Sequence, residues 1–147
     1  MHKLSIAIIG QGAFGRALAK LFDRYVPDVK HAFFDRQTNS ELIAEVSRLA
    51  DYDVVIPAVP IGKFEQVIRQ IAPHLKSDCL AVDVCSVKLH PVQVMQKLLP
   101  ESVQILATHP MFGPNTLEAT GYDLSGLRLV MHPVRIEEEM YLSLIHI

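Results

Sequence analysis

Residues 4–15 read Leu4-Ser5-Ile6-Ala7-Ile8-Ile9-Gly10-Gln11-Gly12-Ala13-Phe14-Gly15, an apolar run stopped by a glycine and followed by two more. A run of this length that ends on glycine suits a strand buried on both faces. After it, Phe14, Leu18, Leu21 and Phe22 recur at helical spacing, which predicts a helix over residues 13–25. Strand, glycine turn and helix thus follow one another directly. This is the start of a unit in which a helix carries the chain back to begin a second, parallel strand.

The same alternation continues. Residues 30–35 read as a second strand. A helix is expected from about Ser40, whose hydroxyl can cap a turn of Glu41-Leu42-Ile43-Ala44. A third strand is expected over 53–59. Pro60 then suits the first turn of a helix carrying Phe64, Val67, Ile68 and Ile71, which stops near Pro73. Residues 79–84, 103–108 and 127–131 supply three more strands, with a helix around 91–98. The pattern predicts an α/β fold, a doubly wound, mostly parallel sheet of the Rossmann type with both faces covered by helices. Its ligand crevice would lie beyond the carboxyl ends of the strands. No repeat, low-complexity segment or linker divides the chain, so residues 1–147 read as a single domain.

With 147 residues the chain can bury one real core. Half of it is hydrophobic and a fifth charged, with a net charge of −2, which excludes the disordered and collagen-like classes. Fourteen basic residues face sixteen acidic ones without a Lys/Arg-rich block, so neither nucleic acid nor an anionic membrane is an expected partner. Small molecules are. Lys3 and a short apolar run do not make a signal peptide, and no apolar stretch approaches the roughly 20 residues of a bilayer span. Cys79 and Cys85 have neither the spacing of a C-x-x-C pair nor that of metal ligands, and read as reduced, buried thiols of a cytoplasmic protein.

Each candidate site residue follows a strand. Gly10, Gly12 and Gly15 form G-x-G-x-x-G, with Gln11, Ala13 and Phe14 between them. In a dinucleotide fingerprint the first glycine makes the tight turn, the second admits a pyrophosphate and the third lets helix and strand pack closely. Asp35 stands 20 residues after Gly15. A carboxylate there accepts bonds from the ribose hydroxyls and favours NAD, whereas Arg36 beside it leaves NADP open. Alternatively, Asp35 only caps the next turn. Val59 and Pro60 would form an apolar wall near the nicotinamide ribose, or an ordinary loop. Ser86 and Lys88 follow the fourth strand, where Ser86 alone would read as a helix cap and Lys88 as a solvated charge. His109, in Ala107-Thr108-His109-Pro110-Met111-Phe112-Gly113-Pro114, is held by prolines and a glycine in apolar surroundings, and an imidazole suits proton transfer near neutral pH. The other histidines, His2, His31, His74, His90, His132 and His146, read as surface or satisfied residues.

Three segments together, Gly10 to Gly15, Asp83-Val84-Cys85-Ser86-Val87-Lys88 and Thr108 to Pro114, resemble the nucleotide-binding domain of the prephenate/arogenate dehydrogenases. The resemblance extends from Ile6 to about Glu138. It implies NAD(P)-dependent oxidative decarboxylation of prephenate or arogenate in tyrosine biosynthesis. Ser86 would lie beside the nicotinamide and the substrate ring, and His109 would pair with the ring hydroxyl as acceptor or base. The resembling proteins continue into a mostly helical region that forms a homodimer and supplies an arginine for the substrate carboxylate. Here Arg135 to Tyr141 begins a further helix and the chain then ends on Ser143-Leu144-Ile145-His146-Ile147, which reads as an end cut short of that region. A catalytically silent NAD-binding fragment, or a Rossmann dehydrogenase of another small hydroxy acid, is the alternative.

Overall fold

A computed structural model describes residues 3–146; His2 and Ile147 lie outside the described residues, as do the side chains of Ile145 and His146. The opening segment folds as its pattern predicts. β1 (Ser5–Ile9) is buried at every position, and α1 (Ala13–Tyr25) starts at the glycine motif and buries Gly15, Ala17, Ala19 and Leu21. The chain continues through β2 (Lys30–Phe34), β3 (Val54–Pro57), α2 (Ile61–Ile71), β4 (Leu80–Asp83) and α3 (Leu89–Leu98). It closes with β5 (Gln104–Pro110), α4 (Pro114–Ala119), β6 (Leu129–Arg135) and α5 (Glu138–His146).

The six strands form one sheet in the order β2-β1-β3-β4-β5-β6. β1 to β5 are parallel, and β6 runs antiparallel to β5. β2 lies on one side of β1 and β3 on the other, so the winding direction reverses at β1 and the crevice opens between β1 and β3. The larger core lies under α2 and α3. Phe64, Ile68 and Ile71 of α2, each at most 0% exposed, pack there with Met95, Ile9 and Ile105. On the other face α1 covers Ile6, Ile8 and Ile56, and its Ala17 and Leu21 hold Leu117 of α4.

Four local expectations need correction. Residues 40–44 are not helical. Asn39 takes a left-handed φ of 56°, and the Ser40 hydroxyl accepts the Leu42 amide at 3.0 Å. Gln37 N–H to Leu42 O (2.7 Å) and Ala44 N–H to Asp35 O (2.8 Å) then close a small hairpin, in which Arg36 bridges Ile43. One buried apolar side chain, Ile43, is too little to seat a helix against the sheet; a 3-10 segment, Val46–Asp51, completes the crossover. The last strand begins two residues later than expected and reverses direction. α4, which the sequence pattern did not reveal, is a short helix opened by Pro114. Finally, the second face is not fully covered: beyond α1, Val82, Leu106 and Met131 line an apolar groove of about 530 Å³ that Leu144 of α5 also reaches.

At the turn, Gly10 has φ +104°, and a Cβ there would lie 2.6 Å from the Ala58 carbonyl oxygen. A Cβ on Gly15 would overlap the carbonyl oxygen of Gly10, whereas one on Gly12 would meet nothing within 4 Å. Alanine normally stabilises a helix by about 1 kcal/mol over glycine. Gly15→Ala should nonetheless destabilise the domain by about 1–3 kcal/mol, because the backbone oxygen it strikes cannot swing away. Gly12→Ala should change stability by less than about 0.5 kcal/mol. Urea unfolding of both variants checks this; equal stabilities would show that α1 does not depend on the close contact.

Candidate nucleotide-binding site

Two clefts meet over the carboxyl ends of β1, β3 and β4. One of about 410 Å³ is lined by Gly10, Gln11, Asp35, Arg36, Glu41 and Lys63, among others. The other, about 480 Å³, includes Ala13, Phe14, Val84, Cys85, Ser86 and Val87. Gly12, Ala58, Val59 and Pro60 line both, which makes them one continuous crevice. α1 starts in its floor with Gly12 at the N-cap, no side-chain cap and no acidic residue in the first turn. The amides of a first helical turn have no intrahelical partner, and the helix dipole favours an anion beside them. Gly12 is the one glycine of the three that the protein's own packing does not require. A phosphate-bearing ligand fits this cradle, since a side chain at that position would enter the space in front of the free amides.

At the β2 end, Asp35 lies one residue past the strand. Its Oδ2 accepts the Gln11 amide at 3.3 Å and its Oδ1 accepts the following Arg36 amide at 2.8 Å, so it both caps its own turn and ties β2 to the glycine turn. Glu41, on the hairpin, stands between two cations: Oε1 is 3.6 Å from Arg36 Nη1 and Oε2 is 3.1 Å from Lys63 Nζ. Val59 is half-buried and Pro60, at the N-cap of α2 rather than within its first turn, is exposed.

At the β4 end the organising group is one the sequence reading passed over. Asp83 is fully buried. Lys88 Nζ donates to both its oxygens, at 2.5 and 2.6 Å, and also to the Thr108 carbonyl. The Cys85 amide donates to Asp83 Oδ1 at 2.9 Å, and Thr108 Oγ1 donates to the Asp83 carbonyl at 2.6 Å. Lys88 is therefore no solvated charge. It clamps the end of β4, the loop carrying Ser86 and the end of β5 together. An aspartate closing an apolar strand, with a lysine five residues on, was the available signal.

Ser86 is exposed in the crevice. His109 is half-buried and sits inside β5 rather than after it. Leu106, Thr108 and Pro110 line the apolar groove, so alternation turns His109 to the opposite face, the side of α2 and α3. Asp83 pairs with Ala107 in register, which puts Ser86 and His109 just past the paired ends of adjacent strands. The structure brings these two to the same end of the sheet, though His109 lines neither part of the crevice. Neither Ser86 Oγ nor the His109 ring has a hydrogen-bond partner among the described residues. Phe112 packs with Leu117, but Met111 is 58% exposed, against expectation. Among the other histidines, His31 bonds Asp23 at 2.8 Å through Nε2, while its buried Nδ1 has no partner among the described residues. Both cysteines are free, and Cys85 is only half-buried. Burial pushes each thiol up to about 11. Among the described residues no group of acidic, His or Cys side chains could hold a metal, and no helix is long and apolar enough to cross a membrane.

Fold and crevice together define a doubly wound nucleotide-binding domain. Residues 28–130 match the family described as prephenate dehydrogenase, nucleotide-binding domain, and the chain belongs to that family. A probable arogenate/prephenate dehydrogenase of Methanocaldococcus jannaschii is 47% identical over 64 residues, 44% of this chain and 14% of that protein. The chloroplastic arogenate dehydrogenase 2 of Arabidopsis thaliana is 36% identical over 144 residues, 90% of this chain and 39% of that protein. Among solved structures, Synechocystis arogenate dehydrogenase superposes with a TM-score of 0.74 at 19% identity, over 97% of this chain and 55% of that one. The chain thus spans less than half the length of these curated relatives.

Two outcomes follow from the clamp and the thiols. Lys88→Met leaves a buried, unpaired carboxylate and should destabilise the domain by about 3–5 kcal/mol, and Asp83→Asn added to it should recover part of the loss. Chemical denaturation of both variants checks this; an equal or greater loss in the double variant would mean the charge is not the cause. At pH 8 the raised thiols carry roughly a hundredfold less thiolate than unperturbed ones. Native protein should accordingly be alkylated by iodoacetamide at least that much more slowly than urea-unfolded protein, as followed by mass spectrometry. Reactivity should climb as pH rises toward 11.

Proposed function

We propose that this chain is the NAD-binding part of a dehydrogenase that oxidatively decarboxylates prephenate or arogenate. The observation that carries the reading is the open Cβ position of Gly12 in front of an uncapped helix start, in a crevice that leads on to Ser86. Gly10 to Gly15 would hold the pyrophosphate, with Gln11, Ala13 and Phe14 contributing backbone and wall. Asp35 would accept the adenosine ribose hydroxyls, with Arg36 beside the adenine. Val59 and Pro60 would keep water from the nicotinamide end. Bound there, the nicotinamide supplies the hydride acceptor.

The chain's own residues then have defined tasks. His109, with no partner for its ring among the described residues, would take the proton of the substrate's ring hydroxyl as carbon dioxide leaves and the ring becomes aromatic. Ser86 would orient that hydroxyl or the nicotinamide through one hydrogen bond. The Asp83–Lys88 clamp ties together the two backbone segments on which they stand, which would hold the two side chains in a constant relation. The names and family of the relatives support the substrate class.

Gly12→Val should abolish NAD binding in a calorimetric titration while leaving the unfolding midpoint within a few degrees of the parent. Retained affinity would remove the fingerprint reading. In a protein joining this chain to the C-terminal region of one of its relatives, His109→Asn should leave the dissociation constant for NAD unchanged and lower turnover of prephenate or arogenate by roughly 10²–10⁴-fold. Undiminished turnover would exclude His109 as the base. Ser86→Ala should cost less, since it removes one orienting hydrogen bond and no proton acceptor.

A further inference from the structure

The geometry points to Glu41 as the residue that makes the β2 end of the crevice reject a 2′-phosphate, by keeping Arg36 and Lys63 neutralised; this rests on the dinucleotide reading above. The crevice at that end is bordered by four charges, Asp35, Glu41, Arg36 and Lys63. They sum to zero. Glu41 holds both cations at once, Arg36 at 3.6 Å and Lys63 at 3.1 Å, one on each carboxylate oxygen. No other acidic side chain pairs with either cation among the described residues, since the Asp35 oxygens are engaged by the backbone amides of Gln11 and Arg36.

Glu41 keeps its station because its backbone is fixed on two sides. Its carbonyl accepts Gln70 Nε2 at 2.8 Å, and the next residue but one, Ile43, donates its amide to Gln70 Oε1 at 2.9 Å. The side-chain amide of an α2 residue thus grips the hairpin from which Glu41 projects. Lys63 stands on the first turn of the same helix, so carboxylate and ammonium are presented by one rigid unit. Arg36 lies opposite Ile43 in the hairpin bridge, which brings its guanidinium to the same place.

A ribose with a free 2′-hydroxyl needs only an acceptor, and Asp35 is one. A 2′-phosphate carries close to two negative charges and needs cations that are not already paired. Exposed ion pairs are individually weak, yet here they have a competitive effect: an incoming phosphate must displace Glu41 from both partners and then sit beside it. Removing the Glu41 charge frees two cations for the phosphate and leaves the hydroxyl's acceptor in place. Preference between the two dinucleotides is therefore set on the hairpin and α2 as much as at Asp35.

Titration of the purified chain with NAD and NADP tests this without any turnover. Glu41→Gln should tighten NADP by at least tenfold and move NAD by no more than about threefold, and the gain should shrink at 0.5 M salt. Adding Arg36→Met and Lys63→Met to Glu41→Gln should erase it. An unchanged NADP affinity in Glu41→Gln, in a chain that binds NAD, overturns the inference while leaving the dinucleotide reading intact. An equal gain in the triple variant also overturns it, because the freed cations would then not be the cause. Should Glu41→Gln loosen the hairpin, NAD would weaken along with NADP, and Glu41→Ala with the same loss would assign Glu41 a structural role instead. A parent chain that binds neither nucleotide sinks the dinucleotide reading itself.

Discussion

The carbonyl oxygen of Gly10 occupies the space that a Cβ on residue 15 would need. This contact lets the first helix start directly on the end of the first strand. Any larger residue at position 15 would push α1 outward and, with it, Ala17, Ala19 and Leu21, which are buried against the sheet and α4. The same closeness aims the unpaired amides of the first turn across the end of the sheet. On the other side the Ala58 oxygen lies where a Cβ on Gly10 would fall, so β1, α1 and the end of β3 meet closely at this turn. The crevice is the space this arrangement leaves.

Its far wall depends on a different interaction. Asp83, fully buried, would be costly as an isolated carboxylate, and Lys88 offsets that cost from five residues along the chain. Because the lysine also binds the Thr108 carbonyl, the pair spans two strands. The charge is not needed to hold β4 against β5, which their backbone ladder already does. What it adds is a fixed course for residues 84–88, a loop that otherwise has little apolar burial to order it.

The two faces of the sheet are unequally covered. α2, α3 and the 3-10 segments Val46–Asp51 and Ala72–His74 lie on one face and bury the larger cluster; α1 and α4 lie on the other and leave an apolar groove over β3 to β6. The winding accounts for this, because the crossovers from β2 to β3, from β3 to β4 and from β4 to β5 all pass on the α2 side. The first of these is a hairpin and a 3-10 segment, not a full helix. That shape also presents Arg36 and Glu41 at the mouth of the crevice, where a longer helix would have carried them elsewhere.

The strands, α1, α2, α3 and the glycine turn were legible in the sequence because each carries its own period: unbroken apolar runs for the parallel strands, and i, i+3, i+4 spacing for the helices. Asp35, Ser86 and His109 were legible as candidates because the end of a parallel strand is the place where such folds hold ligands. The hairpin at 36–43 was not, since a serine before a short apolar pair caps a helix or a turn equally well, and only the Gln70 bonds and the single burial of Ile43 decide between them. Nor was the antiparallel course of β6, because direction is a property of the pairing partner and leaves no period in the strand itself. Lys88 and Glu41 were hidden for the same physical reason. A charge is solvated or paired according to what lies beside it in space: the winding of the sheet brings Thr108 to Lys88 and Lys63 to Glu41, and the hairpin bridge brings Arg36 to Glu41. Sequence fixed which residues reach the carboxyl edge; tertiary structure decided which of them hold one another there and which are left free to act.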